Sequence, residues 1–212
     1  MLEIIYLSFL GAIFSLDVTA FGQFMISRPI VCCPILGYFL GDIKSGLWIG
    51  MIIELIWTKE IQMGAAIPHD ATTVAVLTTV LGLTYPVKLP GVSIIALAVA
   101  STSGVLFKYT EVWVRYTNTK VLHWVETGVK EGKEDRIDKG ILIGLLLFFI
   151  KAFFFYFIFI LAGKYIMNEL YFRCSNTIMQ GLTLAWWFLP ITGFAVMLIN
   201  FNYKFLKMNY KK

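Results

Sequence analysis

The sequence predicts an all-α polytopic membrane protein, with transmembrane helices in its second half and re-entrant or discontinuous segments in its first. Three observations carry the prediction. The 212 residues are 58% hydrophobic and 15% charged, with a mean hydropathy of +0.77, whereas soluble domains carry about 45–50% apolar and about 25% charged residues. Long stretches of the second half hold one charge or none. The ionisable residues of the first half sit inside apolar segments too short to cross a bilayer.

Met1 to Ser27 is apolar but interrupted by Asp17, and the first basic residue is Arg28. A secretory signal places a basic region ahead of its apolar core, so this stretch reads as embedded chain. Pro29 to Gly41 follows, too short for an apolar core about 30 Å thick. GDIKS comes next, then Ser45 to Thr58, broken by Glu54. Residues 61–69, IQMGAAIPH, are apolar but short, whereas Ala71 to Val87 can span. Irregular backbone survives at membrane depth only when packed in protein or lining a polar cavity, and transporters build solute sites from such broken helices. Segments 18–27 and 61–69 are the re-entrant candidates and form a loosely repeated pair. The alternative is one long tilted helix over 29–57.

Gly91 to Phe107 is uncharged, and its small residues suit close helix packing. Ile141 to Gly163 holds only Lys151, and Asn176 to Tyr203 holds no charge, with Pro190 as an expected kink. These three stretches are predicted transmembrane helices. Between them, residues 117–140 form the one strongly hydrophilic segment, with Lys120, Lys130, Lys133, Arg136 and Lys139. The positive-inside rule places it, and the tail bearing Lys204, Lys207, Lys211 and Lys212, in the cytoplasm. The two spans between these basic regions return the chain to one side. The organisation is therefore an N-terminal membrane block with the solute site (1–116), a hydrophilic segment (117–140), and C-terminal helices with a basic tail (141–212). The net charge of +5 follows from this topology and is not a nucleic-acid footprint.

Charge inside a bilayer is costly and usually functional. The candidates are Asp17, Arg28, Asp42, Lys44, Glu54, Lys59, Glu60 and Asp70, with Gln23, Gln62 and His69 as polar neighbours. Carboxylates accept from hydroxyls and amides both donate and accept, which suits a hydroxyl-rich solute; Trp48 and Trp57 add apolar faces. Glu54 and Asp70 are favoured as functional. Asp42 and Lys44 are as consistent with an interfacial turn, and Arg28 is expected to pair with Asp17. Lys108, Glu111 and Arg115 read as interfacial or snorkelling residues, and His123 as a helix-surface residue. Cys32, Cys33 and Cys174 lack metal-site spacing. No nucleotide loop, metal-ligand helix or nucleophile elbow is present, which argues against an independent enzyme and implies no cofactor. A stand-alone ion- or proton-coupled transporter and a non-transporting membrane scaffold are the competing readings.

LDVTAFGQFMISRPIV, GYFLGDIKSGLWIGMIIELIW and MGAAIPHDATT, roughly residues 10–80, resemble the IIC membrane component of the mannose/fructose/sorbose family of the bacterial phosphoenolpyruvate-dependent sugar phosphotransferase system. The resemblance implies a permease in the cytoplasmic membrane. Its partners would be a IID-type membrane subunit and cytoplasmic IIA and IIB phosphocarrier proteins, and its substrate a sugar phosphorylated as it enters. It implies substrate contacts at Asp17, Gln23, Glu54, Gln62 and Asp70, and it leaves phosphoryl chemistry to the partners.

Overall fold

The computed structural model describes residues 1–57, 70–85 and 90–209. Among these residues there are seven α-helices and no strand: α1 (Leu2–Thr19), α2 (Pro29–Phe39), α3 (Ile43–Trp57), α4 (Ala71–Thr84), α5 (Pro90–Lys130), α6 (Asp135–Arg173) and α7 (Asn176–Asn209). The three stretches expected to cross the membrane lie in α5, α6 and α7, which are long and apolar enough to do so. The outward faces of α6 and α7 expose Phe154, Ile158, Trp187, Phe188 and Ile191, an apolar surface suited to lipid. Residues 117–140 span the junction of α5 and α6. They are the polar ends of α5 and α6 joined by a turn, with exposed side chains paired along the helices, such as Lys139 to Asp135 at 2.6 Å.

α4 is the axis of the bundle. Every residue from Thr72 to Gly82 is buried, and the helix is enclosed by α1, α2, α3, α5 and α6. A helix hydrophobic on all sides is stable only in such a position, and the alternation of Thr, Val and Ala gives α4 a thin profile that admits five neighbours. Two of its threonine hydroxyls turn back on the helix itself, Thr79 Oγ1 on the Ala75 carbonyl at 2.8 Å and Thr84 Oγ1 on the Val80 carbonyl at 2.6 Å.

Residues 29–57 form two helices rather than one tilted span. α2 starts on Pro29, where a missing N–H costs nothing, and stops at Gly41. That residue has φ +79°, and the turn is closed by Asp42 N donating to the Gly37 carbonyl at 2.7 Å. Only glycine adopts this left-handed conformation without steric cost. Asp42 then receives Ser45 N at 3.0 Å and Ser45 Oγ at 2.7 Å, which starts α3. The Asp42 carboxylate therefore builds this turn, leaving Lys44 exposed beside it. The pairing of α2 with α3 follows from small residues at a four-residue spacing, the arrangement that lets helix backbones touch. A Cβ on Gly46 would lie 2.5 Å from the Cys33 carbonyl oxygen, and one on Gly37 would lie 2.6 Å from that of Asp42. Gly50 abuts the Pro29 carbonyl in the same way. Cys32 and Cys33 are fully buried and unbridged, packing as small apolar residues.

Adding one methyl group in this seam should be costly. Gly50→Ala is expected to lower stability by about 1–3 kcal/mol through overpacking, read as a lower denaturant midpoint in detergent. Gly181→Ala, where a new Cβ meets nothing within 4 Å, should be neutral or stabilising by up to about 1 kcal/mol.

Candidate functional site: a polar centre at four helix ends

Four helix ends meet inside the bundle: the C-terminal turn of α1, the N-termini of α2 and α4, and the C-terminal part of α3. Each leaves backbone groups without intrahelical partners, and the polar side chains of the first seventy residues gather there. Asp70 is the N-cap of α4. It accepts from Thr72 N at 3.2 Å through Oδ1 and from the Thr73 hydroxyl through Oδ2. Thr73 Oγ1 also lies 3.2 Å from the Tyr156 hydroxyl, which sits 2.8 Å from Ser15 Oγ. In the other direction, Thr72 Oγ1 donates to the Ser27 carbonyl at 3.1 Å. Ser27 in turn donates its N–H and its hydroxyl to Asp17 Oδ2, each at 3.0 Å. Since Ser15 and Asp17 share α1, the hydrogen bonds close a ring through α1, the 20–28 loop, α4 and α6. Tyr156 is fully buried and lies well inside the apolar run of α6.

Asp17 holds the loop that follows α1. Its Oδ1 accepts Phe24 N at 2.6 Å while Oδ2 takes both donors of Ser27. This anchorage fixes a strained backbone in which Gln23 and Met25 have φ of 51° and 64°, a conformation that side-chain-bearing residues rarely adopt. Gln23, Phe24 and Met25 project from the loop and are exposed.

Arg28 does not pair with Asp17 as the sequence predicts. It is the N-cap residue of α2, and its Nη1 lies 3.1 Å from Glu54 Oε1. The reason is the register of the glycine seam: Gly46, Gly50 and Glu54 are successive positions on one face of α3. The seam that puts Gly50 against Pro29 also puts Glu54 beside the residue before it. The pair is open, with the arginine side chain 49% and the glutamate 25% exposed. Gln62, like Lys59, Glu60, His69 and the re-entrant candidate 61–69, lies outside the described residues.

Sequence reading missed a second polar feature. Lys151 Nζ lies 3.1 Å from Glu111 Oε2, with side chains only 6% and 13% exposed. Its ammonium also stands over the rings of Phe107 at 3.6 Å and Phe148 at 4.5 Å, favourable cation–π geometry. Arg115 approaches the other glutamate oxygen at 3.8 Å. Glu111, read from sequence as interfacial or snorkelling, packs its side chain into the α5–α6 contact. The signal was present in the sequence, since a lone lysine in an apolar helix requires a partner. His123, by contrast, is a surface residue as expected, 3.3 Å from Glu126.

A membrane-spanning helical bundle whose short helices break around buried carboxylates has the architecture of a permease subunit. The comparisons agree with that class. The family model described as "PTS system sorbose-specific iic component" matches residues 1–206, and the chain belongs to this family. The sorbose-specific EIIC component of Klebsiella pneumoniae is 22% identical over 193 residues, covering 87% of this chain and 68% of that protein. The fructose permease IIC component of Bacillus subtilis is 22% identical over 206 residues, covering 97% and 75%. The mannose-specific EIIC component of Escherichia coli K12 is 36% identical over a shorter region, 28% of this chain and 22% of that one. Among solved structures, the cryo-EM complex of the mannose transporter ManYZ with microcin E492 shares the fold, with a TM-score of 0.64 at 21% identity, covering 99% of this chain and 85% of that one. Another, described as a membrane protein, gives a TM-score of 0.71 at 24% identity, covering 95% and 80%.

The buried ion pair yields a direct test. Glu111→Leu strands the Lys151 charge among aromatic rings and should cost about 3–5 kcal/mol, whereas adding Lys151→Met should recover most of the loss. A double-mutant cycle of denaturant midpoints in detergent checks this, and no recovery would mean that the two side chains are not coupled.

Proposed function

We propose that the chain carries a monosaccharide through the polar centre where α1 to α4 break, for phosphorylation on the cytoplasmic side by partner subunits. The single observation behind this reading is the convergence of four helix ends and their carboxylates within an apolar bundle. Such a centre offers what a sugar needs once its water is stripped away: several hydrogen-bond acceptors and donors in a small volume. Sorbose, fructose and mannose appear in the names of the relatives, so a hexose is the expected solute class.

The residues have distinct roles in this reading. Glu54 and Asp70 accept hydroxyl donors, with Arg28 orienting Glu54 and the α4 N-terminus orienting Asp70. Gln23 contributes its amide from the exposed loop, and Gln62 a second amide. Asp17 acts by holding that loop, its carboxylate taking three donors from it. Asp42 and Lys44 lie at the far end of α3 and have no part in the central contacts. The tight α2–α3 hairpin moves as one body, exposing the centre to either side in turn.

Segment 117–140 and the basic tail lie in the cytoplasm, where IIA and IIB phosphocarriers would engage the complex. A IID-type membrane subunit completes the pathway. The ManYZ complex, whose IIC-like fold this chain shares, supports such a pairing.

Uptake of radiolabelled hexoses should require phosphoenolpyruvate and yield intracellular sugar phosphate. Glu54→Gln and Asp70→Asn should each lower uptake efficiency by about 10–100-fold, the range for hydrogen bonds to a charged group. Gradient-driven accumulation of unmodified sugar would sink this reading in favour of a stand-alone transporter. Unchanged uptake in both variants, with partner assembly lost, would favour a scaffold.

A further inference from the structure

The side chain of Tyr156 lies in the apolar run of α6 and is fully buried, and α1 is shaped around it. A Cβ on Gly11 would lie 2.9 Å from the tyrosine ring, so only glycine lets α1 approach the ring this closely. One turn further along α1, at the four-residue spacing that shares a helix face, the Ser15 hydroxyl meets the phenol at 2.8 Å. Phe107 and Phe155 also pack against the ring, with centroids 6.1 and 6.2 Å away. The phenol oxygen fixed by this packing lies 3.2 Å from Thr73 Oγ1, in the first turn of α4.

The hydroxyl protons give these contacts a direction. As a carboxylate Asp70 only accepts, and each hydroxyl has a single proton to donate. Thr73 directs its proton to Asp70 Oδ2, so towards Tyr156 it can only accept. Tyr156 then donates to Thr73, so towards Ser15 it can only accept. One assignment alone puts a proton in every contact, running from Ser15 to Tyr156 to Thr73 to Asp70. Hydrogen bonds in such a chain polarise one another, and the tyrosine thereby strengthens the bond from Thr73 to the carboxylate. The other carboxylate oxygen, Oδ1, is held by Thr72 N at 3.2 Å. Together the two bonds fix the plane of the carboxylate and the direction of its remaining lone pairs. Ser15 is buried, so the chain begins in packed protein and orients Asp70 without opening a path to water.

We propose that Tyr156 is a positioning residue for the solute site: acting through Thr73, its phenol O–H aims the Asp70 carboxylate at a sugar hydroxyl. The assignment rests on the reading of Asp70 as a sugar acceptor, and it brings α6 into the site without any contact to the sugar. Aim matters because Asp70 is half-buried at a helix N-terminus. A rotated carboxylate would keep its charge there but turn its lone pairs towards the N–H groups of α4.

Uptake of radiolabelled L-sorbose, D-mannose and D-fructose by cells carrying the complete transport system tests the role, with KM separated from maximal rate. A loss of folded protein lowers the maximal rate and leaves KM unmoved. Tyr156→Phe keeps the ring and deletes the O–H, and should raise KM about fivefold, as expected for one lost hydrogen bond. Ser15→Ala removes the donor one link further away and should raise KM by less, about twofold; it leaves the tyrosine in place, so it carries the test should Tyr156→Phe misfold. Thr73→Val breaks the chain at the carboxylate, and in that background Tyr156→Phe should change KM no further, since the two residues act in one chain. A second readout needs no sugar. In purified protein in lipid nanodiscs, the infrared carboxylate stretch that Asp70→Asn removes should shift in Tyr156→Phe and, by less, in Ser15→Ala. A KM unmoved by Tyr156→Phe, KM effects of Tyr156→Phe and Thr73→Val that multiply in the double variant, or an Asp70 band that neither Tyr156→Phe nor Ser15→Ala shifts overturns the positioning role. A shifted band without phosphoenolpyruvate-dependent uptake of any of the three sugars would uphold the link from Tyr156 to Asp70 and refute the transport reading.

Discussion

The structure depends on how broken backbone is satisfied inside an apolar bundle. A helix that ends in hydrocarbon leaves donors and acceptors that water cannot reach, and each must find a partner in the protein. Asp17 and Asp70 meet this requirement. One gathers the N–H groups of the loop after α1, the other caps the first turn of α4, and Ser27 and Thr72 join them. Because every link in the ring is shared between two elements, the position of the loop, the start of α4 and the hydroxyl of Tyr156 are set together.

The glycine seam between α2 and α3 gives the centre its second fixed part. Backbone-to-backbone contact at Gly37, Gly46 and Gly50 leaves little room for the two helices to slide, so the Arg28–Glu54 pair has a defined place. The two halves of the centre differ in character. Asp17 and Asp70 are tied into backbone, whereas Arg28 and Glu54 are joined side chain to side chain, the arginine half exposed and the glutamate less so.

Much of this was legible in the sequence. The three long spans followed from hydropathy, and the broken first half from apolar segments shorter than a bilayer with charges embedded in them. What could not be read was partner choice. Asp17 and Arg28 are near in sequence, and proximity favoured pairing them, but the seam brings Glu54 to Arg28 while the loop folds its own N–H groups onto Asp17. The division of 29–57 into a hairpin was marked by GD at 41–42, a left-handed glycine followed by a capping aspartate, yet the same residues fit an interfacial turn on a continuous span. The partner of Glu111 was not legible either, because it depends on the register of α5 against α6, which no local pattern records. The structure also separates Lys44 and Trp48 from Glu54, three residues that lie within one short helix and seemed in sequence to belong to one cluster.

The buried Lys151–Glu111 pair bears on how the chain enters the bilayer during synthesis. α6 arriving alone would carry an uncompensated lysine into the hydrocarbon, a penalty of about 2.5–3.5 kcal/mol at the middle of a helix. α5 precedes it and carries the matching glutamate at the height where the two helices meet. Entry of the two helices as a pair would let each charge meet its partner, and the short turn between α5 and α6 keeps them close enough to do so. The lysine of α6 is thus matched by a glutamate on the helix that precedes it in the chain.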